Sequence, residues 1–173
     1  KAYFDTIYAA IAGSASQVFS VGTATAAAHA VRLDQTNLQG AAFSAYLPTA
    51  NQSVTSAVWT KVNLSAEEFD VVSDFDAATN YRHTPTIAGY YQYSFSVQGN
   101  GATISACGSS IYKNGTIYKQ GSYTQTLAVM VSPGSALVYM NGITDYIELF
   151  GYVVGTTTVF NFGSICTYLT GCL

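Results

Sequence analysis

The chain has 173 residues, the length of one domain plus a short extra segment, and 49% of them are apolar. It holds only 6 Lys+Arg and 9 Asp+Glu, where about 43 charged residues are usual at this length; 20 Thr, 17 Ser, 8 Asn, 8 Gln and 14 Tyr stand in their place. That balance excludes disorder, which needs charge, excludes a phosphate-tracking nucleic-acid binder at net charge −3, and argues against a helical enzyme rich in Glu, Lys and Arg.

In residues 1–12, Phe4, Ile7, Tyr8 and Ile11 form one helical stripe with heptad-like spacing. A helix of about a dozen residues is marginal alone in water, so the stripe needs a partner, either its own domain or copies of itself. Gly13-Ser-Ala-Ser16 ends it. Val18–Val21 reads as a short strand and the Ala-rich run 24–33 as a short helix, in which His29 has no catalytic neighbour and reads as structural. No apolar run approaches the roughly 18 residues of a membrane span, no signal peptide is visible, and a start at Lys1 fits a fragment or processed product.

From Phe43 the pattern becomes short β segments between turn residues. Phe43–Leu47 is closed by Pro48, and Ser56–Val62 follows with Trp59 as a core or interface residue. Tyr90–Val97 alternates, with Tyr91, Tyr93, Phe95 and Val97 on one face and Gln92, Ser94 and Ser96 on the other. Thr103–Lys113 runs into Asn114-Gly115, a strong two-residue hairpin signal. Thr116–Lys119 leads to a break at Gly121, and Tyr123–Val131 to a turn at Pro133-Gly134. Ala136–Met140 and Asp145–Val154 flank Asn141-Gly142, and Thr156–Phe160 and Ser164–Leu169 close the chain. Eight to ten short strands at this spacing predict an all-β sandwich or jelly roll, with helical stretches only at the N-terminal end.

Chemistry is sparsely supplied. Two histidines, His29 and His83, and no Gly-x-Ser-x-Gly elbow argue against nucleophilic hydrolysis, and the chain is expected not to be an enzyme and to need no cofactor. Glu67, Glu68, Asp70, Asp74 and Asp76 crowd five acids into ten residues; Asp70, Asp74 and Asp76 are calcium-ligand candidates, against the alternative of a solvated acidic loop. Tyr112, Tyr118 and Tyr123, with Tyr139, lie near turns and are candidate receptor-binding tips, against the alternative of sheet packing. Cys107, Cys166 and Cys172 offer no zinc spacing or complete disulfide framework; buried hydrophobes are the plain reading, with Cys172 alternatively a free or intermolecular thiol. The N-x-[ST] triplets at Asn51, Asn63 and Asn114 matter only in a eukaryotic secretory protein.

Five segments, in order, resemble the C1q/tumour-necrosis-factor-like jelly roll: Phe43-Ser-Ala45, Pro85 through Phe95, Lys113-Asn-Gly115, Asp145 through Leu149, and Phe162 through Leu169. Thr144 stands where that family usually has Gly, and Ser and Gly are reordered in the last segment. Gln17 through Thr25 with His29 through Asp34 resembles the connector of bacteriophage tail-fibre and receptor-binding proteins. The resemblance implies an all-β, antiparallel jelly-roll sandwich over 40–173, preceded by a helical connector over 1–39. The resemblance also implies a homotrimeric fibre tip, extracellular on the virion, joined to other virion proteins through its N-terminal segment and meeting a host cell-surface glycan or protein. It implies no nucleic acid and no membrane insertion. A structural virion fibre or baseplate part without receptor binding, and a secreted C1q-like lectin or signalling domain, are the alternatives.

Overall fold

The computed structural model describes residues 40–125 and 130–173; the N-terminal stripe, the connector and His29 lie outside them. Its strands are β1 (Ala42–Tyr46), β2 (Gln52–Ser53), β3 (Thr60–Lys61), β4 (Ala66–Asp70), β5 (Phe75–Asp76), β6 (Arg82–His83), β7 (Gly89–Asn100), β8 (Thr103–Lys113), β9 (Thr116–Thr124), β10 (Met130–Met140), β11 (Ile147–Thr156), β12 (Val159–Phe160) and β13 (Tyr168–Cys172). The described residues contain no helix.

Every pairing is antiparallel. Sheet A runs β10-β7-β13-β1-β4, with β12 and β2 continuing from the end of β7. Sheet B runs β5-β6-β11-β8-β9, with β3 beside β6 on β11. The two sheets form the expected jelly-roll sandwich, and the alternation in β7 sets its core: Tyr91, Tyr93, Phe95 and Val97 are buried, and Gln92 and Ser94 face out. Against them pack Phe43, Phe160, Leu169, Ile111, Ile147 and Leu149. Asn114 and Gly115 carry φ of 52° and 77°, the two positive values that a tight hairpin between β8 and β9 requires.

Four sequence expectations change. Gly121 does not break a strand, and Pro133-Gly134 is not a turn; both lie inside β9 and β10. A Cβ on Gly121 would meet the Pro133 carbonyl oxygen at 2.6 Å, and one on Gly134 would meet the Gly121 Cα at 2.7 Å. These glycines let two backbones approach, and Pro133 is tolerated because β10 ends its sheet and has no ladder partner on that side. Ser56–Val62 is mostly turn: only Thr60–Lys61 pairs, and Ala57 sits at φ 62°. The acidic stretch is not a loop, because 66–70 forms edge strand β4 and Phe75–Asp76 forms β5 on the other sheet.

Gly171 leaves no room for a side chain in the core: a Cβ there would lie 2.7 Å from the Phe43 ring and 2.9 Å from the Tyr93 ring. Both rings are fully buried, so Gly171→Ala is expected to cost about 1–3 kcal/mol, read as a lower urea midpoint with an unchanged slope.

Candidate functional site

The proposed calcium ligands already spend their oxygens on backbone amides. Asp70 accepts from Phe75 N at 2.7 Å, Asp74 from Thr86 N at 2.9 Å, and Asp76 from Thr79 N at 2.9 Å and Asn80 N at 3.1 Å. Those bonds, with the Asn80 amide, hold the Asp76 carboxyl below its ordinary range. Asp70 and Asp76 thus cap local turns as the chain crosses from sheet A to sheet B, and Asp74 ties that crossing to the segment before β7. Among the described residues, no three His, Cys, Asp or Glu side chains converge as metal ligands would.

His83 is buried in the core, its Nδ1 2.8 Å from the Tyr93 hydroxyl and its ring stacked on Phe43 at 4.3 Å. Burial pushes its pKa down to about 3 and pushes that of Tyr93 up, so at neutral pH both are uncharged. Cys107 is also buried, its thiol pushed up to about 11, whereas Cys166 is half-buried and Cys172 exposed. The buried-hydrophobe reading therefore holds for Cys107 and fails for Cys172. Cys107 is expected to react with a maleimide only after unfolding, counted by mass with and without urea. The Asn114 amide donates to Asp145 and accepts from Tyr146 N, so it ties the hairpin to the loop before β11.

Charge divides between the sheets. Lys61, Arg82, Lys113 and Lys119, the four described cations, all lie in sheet B. Lys61 pairs with Glu148 at 2.5 Å and Lys113 with Asp145 at 2.8 Å, while Arg82 lies 4.3 Å above the Tyr146 ring.

On sheet B the candidate tyrosines do not form one tip. Tyr112 lies flat on Phe150, centroids 3.8 Å apart, and Tyr118 sits on β9 beneath the Lys119 ammonium. Tyr123 instead joins an aromatic group that the sequence reading missed: Tyr123, Tyr152 and Trp59, with centroid spacings of 6.0 and 5.2 Å. Gly108 pairs with Tyr152 on one side and Tyr123 on the other. A Cβ there would meet Tyr123 at 3.1 Å and Trp59 at 3.3 Å, so the rings close over a bare backbone. Trp59 is therefore on the outside of sheet B, not in the core. Alternation in β11, with Phe150 and Tyr152 outward between Leu149, Gly151 and Val153, was the available signal.

Sheet A has the opposite character. Register lines up Leu137, Gln92, Cys172 and Ala42 in one row, Ser135, Ser94, Thr170 and Ser44 in the next, and Pro133, Ser96, Tyr168 and Tyr46 in a third. Tyr139 faces Tyr90 across β10 and β7, with ring centroids 5.4 Å apart. None of these outward positions holds Lys, Arg, His, Asp or Glu, yet Tyr90 is 65% and Leu137 58% exposed. The acids of sheet A sit only on edge strand β4, where Glu68 accepts from Ser44 Oγ at 2.8 Å. A broad uncharged face that mixes hydroxyls with exposed Leu137, Val131, Tyr90 and Tyr139 is unusual for an isolated domain.

No protein-family model matches the chain, and no curated protein matches its sequence. Solved structures do match in shape. Murine APRIL at pH 5.0 aligns with TM-score 0.60 at 12% identity, covering 78% of this chain and 99% of that one. Murine APRIL at pH 8.0 aligns with TM-score 0.58 at 13% identity, covering 77% and 98%. Eiger TNF from S. frugiperda aligns with TM-score 0.59 at 7% identity, covering 77% and 91%. With sheets and register described above, these likenesses establish one thing about the chain: its described domain is a TNF-like antiparallel jelly roll.

Proposed function

We propose that the chain is the tip of a homotrimeric virion fibre, a bacteriophage tail fibre or receptor-binding protein that attaches to a host cell surface by binding alone. The observation that carries the assembly is the uncharged outer face of sheet A, where Tyr90, Leu137, Tyr139 and Val131 stand exposed. Joining such faces removes apolar area from water at roughly 25 cal/mol per Å², and no buried ion must be desolvated. Three copies rather than two follow from the C1q/TNF-like resemblance, and placement on a virion from the connector-like residues 17–34. Three weak contacts to one surface then add as avidity. A role without chemistry is supported by His83, the one described histidine, whose burial and depressed pKa remove it as a base at neutral pH.

The likeness to APRIL and Eiger favours a second reading equally on fold, a secreted signalling or lectin domain. Mass in solution and adsorption to cells separate the readings. A stable trimer that binds susceptible bacteria and not receptor-deficient mutants is the expected result. A strict monomer at micromolar concentration rejects the fibre, and a trimer that binds animal cells instead supports the secreted domain.

A further inference from the structure

We propose that the aromatic group on the outer face of sheet B is a platform for an uncharged oligosaccharide, and that its rings carry the attachment proposed above. The platform is built by two independent features. Gly108 is its floor, and a side chain there would push Tyr123 and Trp59 apart. The second feature is the turn that delivers Trp59. Ala57 holds a left-handed φ of 62°, unfavourable by about 1 kcal/mol for a residue with a Cβ, while its N–H donates to the Val153 carbonyl at 2.8 Å. Gly155 N donates to Ser56 Oγ at 3.0 Å and pins the turn a second time. The strain is held by β11, and its visible result is an indole ring set against Tyr152 outside the core.

Chemistry selects the occupant. Three half-exposed rings packed in a row, with centroids 5.2 and 6.0 Å apart, offer a continuous apolar surface to the C–H faces of a sugar chain. The same turn borders a shallow uncharged cleft lined by Ser53, Val54, Ser56, Thr157, Thr158 and Val159. The Ser56, Thr157 and Thr158 hydroxyls already bond within the protein, which leaves Ser53 as the hydroxyl with no bond to the described residues. No cation stands in either feature, and Lys61, the nearest in sequence to Trp59, is neutralised by Glu148. An acidic polysaccharide would find no counter-charge there, so a neutral glycan is the complementary ligand.

Trp59 is the sole tryptophan, so its fluorescence reports on the platform directly. The full chain is titrated with tetrasaccharides of glucose, galactose, mannose and N-acetylglucosamine, and with heparin tetrasaccharide as the acidic control. A saturable spectral shift with at least one neutral tetrasaccharide and none with heparin is expected. Tyr152→Ala is expected to weaken that binding about tenfold or more, and calorimetry should show Trp59→Phe weakened less than Trp59→Ala. A flat titration with all four neutral sugars at millimolar concentration, or equal binding of heparin, overturns the platform. This inference rests on the attachment role, but the two fail separately. Cells bound equally by wild type and Trp59→Ala would sink the platform and leave attachment standing. A shifted tryptophan with no adsorption to any cell would do the reverse.

Discussion

Leu137→Lys is expected to turn the proposed trimer into monomers, lowering association by about a hundredfold or more while leaving the far-ultraviolet spectrum unchanged. Leu137 stands on edge strand β10 of the uncharged face, 58% exposed in the single chain, beside Gln92 and one row from the Tyr90–Tyr139 pair. A lysine there remains in water in the monomer, so the fold loses little. In a trimer, three ammonium groups must leave water with no carboxylate among the neighbouring outward positions to pair with them. Sedimentation velocity at several concentrations reads the effect. Ile117→Lys on β9 of sheet B, at a similarly exposed position, is the matched control and should sediment as wild type. Equal masses for Leu137→Lys and wild type would place the interface elsewhere. Cys172 lies in the same row as Leu137, so its alkylation should be slow in the trimer and fast in the Leu137→Lys variant.

The second large effect is acid sensitivity through His83. Unfolded, its imidazole takes a proton near pH 6.5; folded, burial among Phe43, Tyr91 and Tyr93 delays protonation to about pH 3. Between those values the unfolded chain binds more protons, so stability is full above pH 6.5 and falls as pH falls towards 3. At 1.36 kcal/mol per pH unit the whole window is worth about 3–5 kcal/mol, and the descent to pH 5 about 2. The facing acid, Asp74, is turned towards Thr86, and both tyrosines remain phenols, so no charged partner rescues the imidazolium. Asp76 and Asp145, whose carboxyls hydrogen bonds hold low, add their own loss only below about pH 4. Glu67, whose carboxyl is pushed up by burial and by Asp70, takes its proton earlier in the folded chain and opposes that loss towards pH 4.5, so urea midpoints from pH 7 to about 5.5 read the histidine. His83→Gln keeps a partner for Tyr93 without a titrating ring and should flatten that profile. A wild-type midpoint constant across the window would contradict the burial argument.

The strands were legible wherever one face is dry. Period two in 90–97 named the core residues of β7, and Asn114-Gly115 named the hairpin, because both signals are local: side-chain alternation and positive φ. Segments whose state depends on a neighbour misled. Gly121, Pro133 and Gly134 carry turn chemistry, but lie in strands because two backbones meet there. Five clustered acids read as a solvated loop, yet an edge strand accepts Glu67 and Glu68 outward, and Asp70 and Asp76 cap the turns beyond it.

The candidate sites divide in the same way. Tyr123 was visible as an exposed ring near a turn, but Trp59 lies 64 positions before it and Tyr152 lies 29 after it, while the rings stand 6.0 Å (Tyr123–Tyr152) and 5.2 Å (Trp59–Tyr152) apart in space. No periodicity joins them, since Gly108 brings them together through pairing on both sides.

Scarcity of charge was determined by the sequence alone: 15 ionised groups in 173 residues already argue for a β-rich, neutral-polar surface. Tertiary structure decided where that scarcity falls. Four cations gather on sheet B, three acids on edge strand β4, and the outward rows of β10, β7, β13 and β1 hold none. Alternation tells which side of a strand is wet, but only the order of strands in a sheet sums those sides into a face. Composition sets how much charge there is to place, and strand order sets which surface is left able to meet another copy.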